Sequence, residues 1–466
     1  MGGAGRDRAQ LNALTTGARR CVALSDLVTI VDGRADLPVC LRELSDRRHR
    51  RQPAHIERSA REIVERVVAE GDAAVVEYTR RFDCPTFDAS QLSVQPQTIQ
   101  TAYDEVASDW VRAYRRAREN ILSFHERQLP GSWLEEFDGM LLGERLRPVA
   151  SVGVHVPGFS VPLFATVAMS VEPARAAGVE RVVIATPPRK DGSIDPLVLV
   201  ACAESGVDEI YRMGGAQAVA AVAYGTETVA AVDMVVGPGN PYTMAAKRMV
   251  FGQVGIDSLA GPSESMIIAD GQADPAWVAA DLLCQAEHTG DNTVVLATES
   301  ESLADAVEAA AHSQIEKLQR ADLIRQSLAE YGMIALVEGM EAACELCNEL
   351  APEHLQLMVA EPLALLELIH NAGAIFVGEL ATVPLGDYAA GPSHVLPTGG
   401  SARFSSGLSV RDFLRGSSLI YAAERGFTRL AQDVELLAEA EGLDAHAAAV
   451  RIRRRAGFGP QDREES

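Results

Sequence analysis

The spacing of hydrophobic and polar positions changes several times along the chain, and each spacing predicts a different kind of element. From Ile56 to Phe82 the apolar residues recur at helical intervals with a break at Gly71, which predicts two helices joined by a Gly-Asp turn. A further amphipathic helix is predicted over 102–128. Residues 1–50 are polar, Arg-rich and weakly periodic. We therefore expect an N-terminal extension that is flexible or docks on a partner subunit.

Between residues 149 and 261 the texture is different, because short β-branched runs alternate with Ala-rich helical stretches. RVVIATPP, LVLVACAESG and GGAQAVAAVAYG are examples. Such alternation is typical of βαβ units and a parallel, doubly wound sheet. A second block of this kind runs from 263 to about 383, and after Gly407 the sequence is helix-like. The prediction is an α/β protein with two doubly wound, Rossmann-like domains, N-terminal helices and a C-terminal helical arm.

The positions at which the pattern of hydrophobic and polar residues changes also predict the domain limits. A length of 466 residues agrees with two to four domains. We expect an extension at 1–50, a first α/β domain from 51–152 plus 263–406, a second α/β domain at 153–262, and a helical arm at 407–466.

Charge narrows the range of partners. The chain has 42 Lys and Arg against 65 Asp and Glu, which gives a formal net charge of -23. A surface this acidic repels phosphate backbones, so we expect no nucleic-acid binding. Small cationic or neutral molecules are the better candidates for a ligand.

Cysteine usage and hydropathy bear on the compartment. Seven cysteines, an odd number scattered along a long chain, are typical of a reducing cytoplasm. The CxxC pair Cys344 and Cys347 lies in a helix-like stretch without a second pair, which favours buried thiols over a redox or zinc site. The N-terminus has no apolar signal region, and Gln217, Glu227 and Asp233 interrupt the longest apolar stretch. We expect a cytoplasmic protein that does not enter membranes.

Two glycine-rich turns follow predicted strands in the 153–262 segment. In RMGGAQA a Gly-Gly turn stands between a strand and a helix, where free N–H groups and the helix dipole favour a phosphate. The GxGxxG fingerprint is absent, so a plain tight turn fits equally well. The second turn, GPGN, ends the strand DMVV. Since open α/β sheets bind ligands at the carboxyl ends of strands, we expect Gln217 and Asn240 to face a common ligand.

Two later segments carry side chains suited to metal or proton chemistry. DLLCQAEH places Gln285 and His288 three residues apart on one helix face, a spacing that suits a metal but also arises by coincidence. In APEHL, Glu353 and His354 lie just inside a helix start marked by Pro352. Neighbouring helical residues diverge by about 100°, so this pair can reach two atoms of one substrate, as general acid/base catalysis needs.

Two more segments lie beyond these. The loop PLGDYAAGPSHVLPTGG presents Asp387 and His394, and AEAEGLDAH presents Glu441 and His446. His394 fits a packing role as well as a substrate contact. Spacing alone does not join the four segments into one site.

The motifs taken together resemble those of a known enzyme family. QAEH, GPSES, APEHL, GDYAAGPSHVLPTGG and EGLDAH, with GPGN and GGAQA upstream, resemble the motif series of the histidinol dehydrogenase family. The phrases EGDAAVVEYTRRFD and ENILSFHERQ also resemble it, so the likeness spans about residues 55–455. Members of that family oxidise L-histidinol through the aldehyde to L-histidine with two NAD, at the end of histidine biosynthesis. The resemblance implies this activity here.

The resemblance further implies the cofactors and the assembly. It implies one Zn²⁺ per subunit, NAD, and a homodimer in which the helical arm crosses to the other subunit. Segment 153–262 would bind NAD, and the first α/β domain would carry most metal and catalytic residues. Because the arm is exchanged, Glu441 and His446 would complete the partner's site.

Individual roles are carried over position by position. The resemblance implies that the zinc ligands are Gln285, His288, Asp387 and His446. It implies that the NAD contacts are His155, Gln217 and Asn240. It implies that the substrate contacts are Ser263, Gln285, His288, His354, Asp387, Glu441 and His446. Glu353 and His354 would be the catalytic pair, with His354 as the base for the alcohol and Glu353 activating the water that hydrates the aldehyde.

The chain departs from the family's usual text at four positions. In VGVHVPGFS, His155 stands where a tyrosine is usual and Phe159 where a second glycine is usual. Ala165 replaces a common serine, and Ser393 replaces an asparagine. The metal and acid/base groups are unchanged, so these departures bear on the NAD contacts and on the fit of the substrate.

Two other functions stay open. A paralogue with the same zinc and NAD chemistry would act on another small alcohol, such as a sulfonated diol. A sulfonate calls for Arg or Lys beside the carboxylates, whereas Glu353, Asp387 and Glu441 suit the ammonium group of histidinol. A degenerate scaffold would keep the fold and bind without turnover, but the presence of every implied ligand argues against it.

Overall fold

The computed structural model describes residues 22–24, 27–34, 53–158, 161–288 and 290–457, so Phe159 lies outside the described residues. The strands are β1 Val22–Leu24, β2 Thr29–Asp32, β3 Trp133–Phe137, β4 Met140–Pro148, β5 Ser151–His155, β6 Arg181–Thr186, β7 Ile210–Arg212, β8 Met234–Val236, β9 Gly255–Ile256, β10 Glu264–Ala269, β11 Thr293–Thr298, β12 Gly332–Leu336, β13 His354–Met358, β14 Ala374–Val377 and β15 Leu414–Ala422. The helices are α1 Ala54–Glu70, α2 Asp72–Phe82, α3 Pro96–Ala102, α4 Ser108–Glu126, α5 Ala165–Ala177, α6 Pro196–Glu204, α7 Gly215–Tyr224, α8 Pro241–Val250, α9 Pro275–Ala286, α10 Glu301–Ile315, α11 Ala321–Tyr331, α12 Met340–Leu350, α13 Val383–Tyr388, α14 Glu424–Ala440 and α15 Asp444–Arg455.

Two sheets form the body of the molecule, and each contains five parallel strands in the same order. One sheet has the order β7-β6-β5-β8-β9, and the other has β1-β2-β12-β11-β10-β13-β14. If β5 to β9 are numbered 1 to 5 in one sheet and β10 to β14 are numbered 1 to 5 in the other, the strands of both sheets follow the order 3-2-1-4-5. The winding therefore reverses between β5 and β8 and between β10 and β13, as in Rossmann-like sheets. The predicted α/β class with two doubly wound units is confirmed.

Part of the first fifty residues belongs to the larger sheet. Strand β2 pairs in parallel with β12, and β1 pairs antiparallel with β2. Leu27 and Val31 are buried in the cores on the two faces of that sheet. For these residues the expectation of a loose extension differs from the structure, because strands this short leave little periodicity to detect in an Arg-rich sequence.

The helices of residues 54–126 pack on the five-stranded sheet, whereas the sequence grouped 51–152 with 263–406. Helices α1 and α2 share one core with α7, and α3 and α4 share another with β5. The Ala-rich surface of α7 allows close approach, so it can bury the apolar face of α1. Helical periodicity shows that such a face exists but does not show which sheet covers it. Strand β5 also begins at Ser151, within the range assigned to the other domain.

The C-terminal arm begins with a strand, so the expectation of helix throughout 407–466 was wrong for Leu414–Ala422. This strand, β15, pairs antiparallel with β4 over nine residues, and β3 pairs with β4 on the other side. The pairing with β4 stabilises a segment whose own sequence has no clear strand period. The predicted helical part follows as α14 and α15.

Two smaller expectations concern cysteines and membranes. Cys344 and Cys347 are buried on α12, where burial raises the pKa of the Cys344 thiol to about 11. This agrees with their interpretation as structural thiols. Among the described residues, no helix has the length and apolar character needed to cross a membrane.

Candidate active site

Gln285 and His288 lie where α9 ends. Pro275 begins this helix behind the N-cap Asp274, whose carboxylate accepts a hydrogen bond from the Ala276 N–H. Because α9 ends at Ala286, His288 lies two residues beyond the helix and not on its face as expected. His288 is exposed, whereas the side chain of Gln285 is buried and its Nε2 has no hydrogen-bond partner among the described groups.

Glu353 and His354 lie at the start of a strand, and the expectation of a helix start after Pro352 was wrong. Helix α12 ends at Leu350, and the next residue, Ala351, adopts a left-handed conformation with φ 51°. His354–Met358 then pairs in parallel with β10 and with β14, and all five residues are buried. A short apolar run buried on both faces carries no period that separates strand from helix.

The catalytic pair predicted from the resemblance is buried beside Asp387. The His354 Nδ1 lies 3.9 Å from Glu353 Oε2, and its Nε2 lies 3.6 Å from Asp387 Oδ1. Within the described part of the chain, neither ring nitrogen of His354 nor Oε2 of Glu353 has a hydrogen-bond partner. Buried polar atoms are normally paired. Three unpaired atoms in one place indicate a site built for a ligand.

Electrostatics keeps a proton available at this pair. Burial raises the pKa of Glu353. Burial alone would lower the pKa of His354, but the carboxylates of Glu353 and Asp387 outweigh it and the pKa lies above its usual value. For Asp387, burial acts upward while His354 outweighs it and lowers the pKa. Asp387 therefore stays anionic, and the neighbouring pair can accept or release a proton.

These groups share one edge of the seven-stranded sheet. Ser263 immediately precedes β10, and its hydroxyl hydrogen-bonds to the carboxylate of Glu353, which offsets part of the rise in the Glu353 pKa caused by burial. His354 is the first residue of β13, opposite Ser265 of β10. Gln285 lies in the last turn of α9, the helix that leads to β11. The site therefore lies at the amino-terminal edge of the sheet, where α9, β10 and β13 converge.

His394 connects the loop that carries Asp387 to helix α5. Its Nδ1 lies 3.0 Å from the Asp387 carbonyl oxygen, and its Nε2 lies 3.4 Å from the Thr166 hydroxyl. The adjacent Ser393 hydroxyl donates to the Met169 carbonyl at 2.8 Å. With both ring nitrogens engaged inside the chain, the geometry favours the packing role of His394 over a substrate contact.

The sequence did not single out Asp281, which ties three of the site's elements together. One oxygen accepts a hydrogen bond from Gln356 Nε2 of β13 at 2.7 Å, and the other accepts one from the Thr382 hydroxyl before α13. Asp281 lies on α9, one turn before Gln285, so the i, i+4 spacing was the available signal. Cys284 was also missed; burial, together with the Asp387 charge, raises its pKa to about 12.

The three residues expected to meet NAD lie at the carboxyl edge of the five-stranded sheet. His155 ends β5, and its Nδ1 donates to the Pro238 carbonyl at 2.7 Å while its Nε2 accepts from the Gly215 N–H at 3.2 Å. Asn240 caps α8 by accepting from the Tyr242 N–H. Gln217 is buried in the first turn of α7. The imidazole of His155 thus joins the two glycine-rich turns.

Glu441 and His446, the other expected site residues, are exposed on the arm. The described residues contain no cluster of three or more His, Cys, Asp or Glu that would hold a metal. His288 is among the groups that act on the pKa of Asp387, and the role of Gln285, His288 and Asp387 as zinc ligands stays a prediction.

Comparisons with known proteins agree on one family. The family model described as histidinol dehydrogenase matches residues 46–454. The chain is 52% identical to histidinol dehydrogenase of Moorella thermoacetica over 394 residues, which cover 84% of this chain and 93% of that protein. It is 46% identical to the Synechococcus enzyme of the same name over 428 residues, 92% of this chain and 99% of that one. The crystal structure of histidinol dehydrogenase from Elizabethkingia anophelis is similar with a TM-score of 0.86 and 32% identity, covering 93% of this chain and 99% of that chain.

Proposed function

This chain belongs to the histidinol dehydrogenase family, and from that premise we propose that it oxidises L-histidinol through L-histidinaldehyde to L-histidine, using zinc and NAD. The observation that carries the proposal is the buried Glu353–His354 pair, whose unpartnered atoms lie beside the anionic Asp387. Two proton acceptors side by side suit two successive oxidations.

Zinc would be held by Gln285, His288 and Asp387, with the partner subunit's His446 as the fourth ligand. The unused amide of Gln285 and the anionic Asp387 fit this donor set. One carboxylate, two imidazoles and a neutral amide leave a net charge of about +1 at the site. When bound, zinc supplies a Lewis acid and a template for the substrate, and NAD accepts the hydride.

The proton steps belong to the chain's own residues. In the first oxidation, His354 takes the hydroxyl proton of histidinol as hydride leaves the carbon. In the second, Glu353 takes a proton from the water that hydrates the aldehyde. Ser263 lies against the Glu353 carboxylate and helps to orient it. The proposal also includes the substrate contacts that the resemblance implies. These are Ser263, Gln285, His288, His354, Asp387, Glu441 and His446.

A homodimer is part of the proposal, because large apolar side chains of the arm are exposed when the chain is considered without a partner. These residues are Leu419, Ile420, Tyr421, Val434, Leu436, Leu437, Leu443 and Ile452. Clusters of exposed large apolar residues mark interaction surfaces. A second copy that covers them would bring its Glu441 and His446 to this site. The described cysteines are free, which suits the cytoplasm we propose as its compartment.

The paralogue acting on a sulfonated diol is not favoured. The groups with the largest effect on the pKa values of His354 and Asp387 are carboxylates and imidazoles, with no Arg or Lys among them. A sulfonate would lie against these carboxylates, while the nearby cation Arg320 already donates a hydrogen bond to the His288 carbonyl at 3.0 Å. An ammonium group gains from the same arrangement.

The test is product stoichiometry. The full-length protein loaded with zinc, then supplied with NAD and L-histidinol, should form about two NADH per histidine, as two successive oxidations require. A sulfonated diol in place of histidinol should give no NADH. Absence of turnover with histidinol while zinc stays bound would overturn the proposal.

A further inference from the structure

The turn Gly237–Asn240 approaches strand β5 more closely than a side chain would permit. Gly237 has φ 103°, and a Cβ built there would lie 2.4 Å from the His155 carbonyl oxygen. The turn follows β8, next to β5, where the winding of the five-stranded sheet reverses. In Rossmann-like sheets this reversal point is where nucleotides bind.

A buried ion pair holds both backbone polar groups of Gly237. The Lys247 ammonium on α8 donates to the Gly237 carbonyl at 3.0 Å, and Asp257 Oδ2 accepts from the Gly237 N–H at 2.8 Å. Lys247 and Asp257 also contact each other directly, with side chains only 1% and 3% exposed. The backbone of Gly237 is therefore hydrogen-bonded through its carbonyl to a cation and through its N–H to an anion.

His155 forms a hydrogen bond with Pro238, the next residue of the same turn. Its Nδ1 donates to the Pro238 carbonyl, and its Nε2 accepts from Gly215 at the start of α7. Neutral imidazole with the proton on Nδ1 satisfies both contacts. The three side chains together fix the turn against β5, α7 and α8, and we call them the turn clamp.

Stability alone is a poor explanation for the charged part of the clamp. Burying a Lys–Asp pair costs desolvation that mutual attraction barely offsets, and apolar replacements of such pairs are often neutral or stabilising. Helix α8 is already capped by Asn240 and started by Pro241. A rigid turn strengthens the binding of a ligand that requires one conformation of the turn, because a preorganised site loses less conformational entropy on binding.

We propose that Lys247 and Asp257, with His155, are positioning residues that hold the Gly237–Asn240 turn in the shape that accepts the dinucleotide. The inference rests on the proposed function, in which Gln217 and Asn240 meet NAD at this edge. Through the clamp, the orientation of Asn240 depends on two buried charges that the ligand never touches.

The test replaces Lys247 and measures nucleotide binding separately from chemistry. Lys247→Met keeps the length of the side chain and removes its donor. We expect the Kd for NADH, followed by fluorescence, and the KM for NAD to rise roughly 10- to 100-fold, as misplacement of a binding group by about 1 Å produces. The kcat at saturating NAD should fall far less, and zinc content should stay at the wild-type level.

Arg248→Met is the matched control, because Arg248 is the next residue on α8, carries the same charge and is exposed. It should leave the KM for NAD unchanged. If Lys247→Met folds poorly through an unpaired Asp257, the double variant K247M/D257N removes both charges together and should show the same rise in KM. Melting curves identify the variant that is folded.

The outcomes separate the two hypotheses. Wild-type protein that binds zinc but does not oxidise histidinol overturns the proposed function. Wild-type protein that does so, with a folded clamp variant whose KM for NAD matches wild type, overturns the clamp. A variant in which KM for NAD and for histidinol rise together, with loss of zinc, also overturns it, since that pattern reports general damage.

Discussion

Glu353 and His354 combine burial with unused hydrogen-bonding atoms, and that combination is the strongest residue-level sign of catalysis. The His354 side chain is 4% exposed and lies between two carboxylates. A structural histidine in such a place would be hydrogen-bonded to one of them. Both of its ring nitrogens lack a hydrogen-bond partner among the described residues, which supports the proposed contact with the substrate.

The His354→Asn variant should keep its zinc and lose most of its activity. Removal of a general base costs a factor on the order of 10²–10⁴ in rate. Steady-state kinetics with histidinol, together with zinc analysis, checks this. Glu353→Gln should instead slow the second oxidation more than the first, visible as released aldehyde. His312→Asn, an exposed histidine on α10, is the control. An unchanged rate in His354→Asn would refute its role.

His155 makes stability depend on pH in a predictable direction. Burial lowers its pKa from the usual 6.5 to about 4. Below pH 6.5 the unfolded chain binds a proton that the folded chain refuses until about pH 4, so the free energy of unfolding decreases as the pH falls through this window. At 1.36 kcal/mol per pKa unit, this histidine accounts for about 3 kcal/mol.

The measurement is urea unfolding between pH 7 and pH 4. His155→Gln removes the titration and should show a shallower loss of stability than wild type. His312→Gln, which changes an exposed histidine, should follow the wild-type curve. Parallel curves for wild type and His155→Gln would contradict the assignment.

At the scale of elements, the site depends on how α9, β13 and α13 are held together. Asp281 bonds to Gln356 and to Thr382, and these elements carry or adjoin Gln285, His354 and Asp387. Asp281→Ala should lower zinc affinity and turnover by roughly 10-fold, the lower end of the cost of losing a direct partner of a metal ligand, because Asp281 bonds to the elements that carry the ligands and not to a ligand. Competition with a zinc chelator measures the affinity. Asp305→Ala, at an exposed position on α10, should match wild type.

Sequence patterns predicted elements well where the amphipathic period is long. The turn at Gly71 between α1 and α2 is where it was predicted, with φ 57°. They failed at β13 and β15, where a tertiary partner determines the structure of a short segment. The interactions of Asp281 and Lys247 could not be predicted, because each joins elements whose mutual approach no local pattern records.

At the scale of the whole molecule, the motifs predicted the family, and the alternation of strand-like and helix-like stretches predicted two doubly wound sheets, while packing decided the rest. The acidic total charge gave no clue to the site, since only a few carboxylates lie there. The placement of α1–α4 on the five-stranded sheet followed from which apolar faces fit each other. The role of His446 stays a prediction, because this residue is exposed on the arm of the single chain.

Subunit mixing tests the exchange of the arm. His354→Asn and His446→Asn should each be inactive alone. If the arm completes the partner's site, refolding them together forms mixed dimers with one intact site, and activity should return to about a quarter of wild type. Mixing His354→Asn with Glu353→Gln is the control, because both changes lie in the same half-site and no intact site forms. No recovery in the first mixture would contradict the exchange.

The three-stranded sheet β3-β4-β15 joins segments from opposite parts of the chain, since Met140 lies opposite Ala422 and Pro148 opposite Leu414. During synthesis the β3-β4 hairpin leaves the ribosome long before its third strand exists. Contacts this distant in sequence form late, and an unpaired edge is prone to wrong partners while it waits. The arm therefore attaches late in the synthesis of the chain. A nascent chain stalled before residue 414 would have two complete sheets, and the edge of β4 that pairs with β15 would be open.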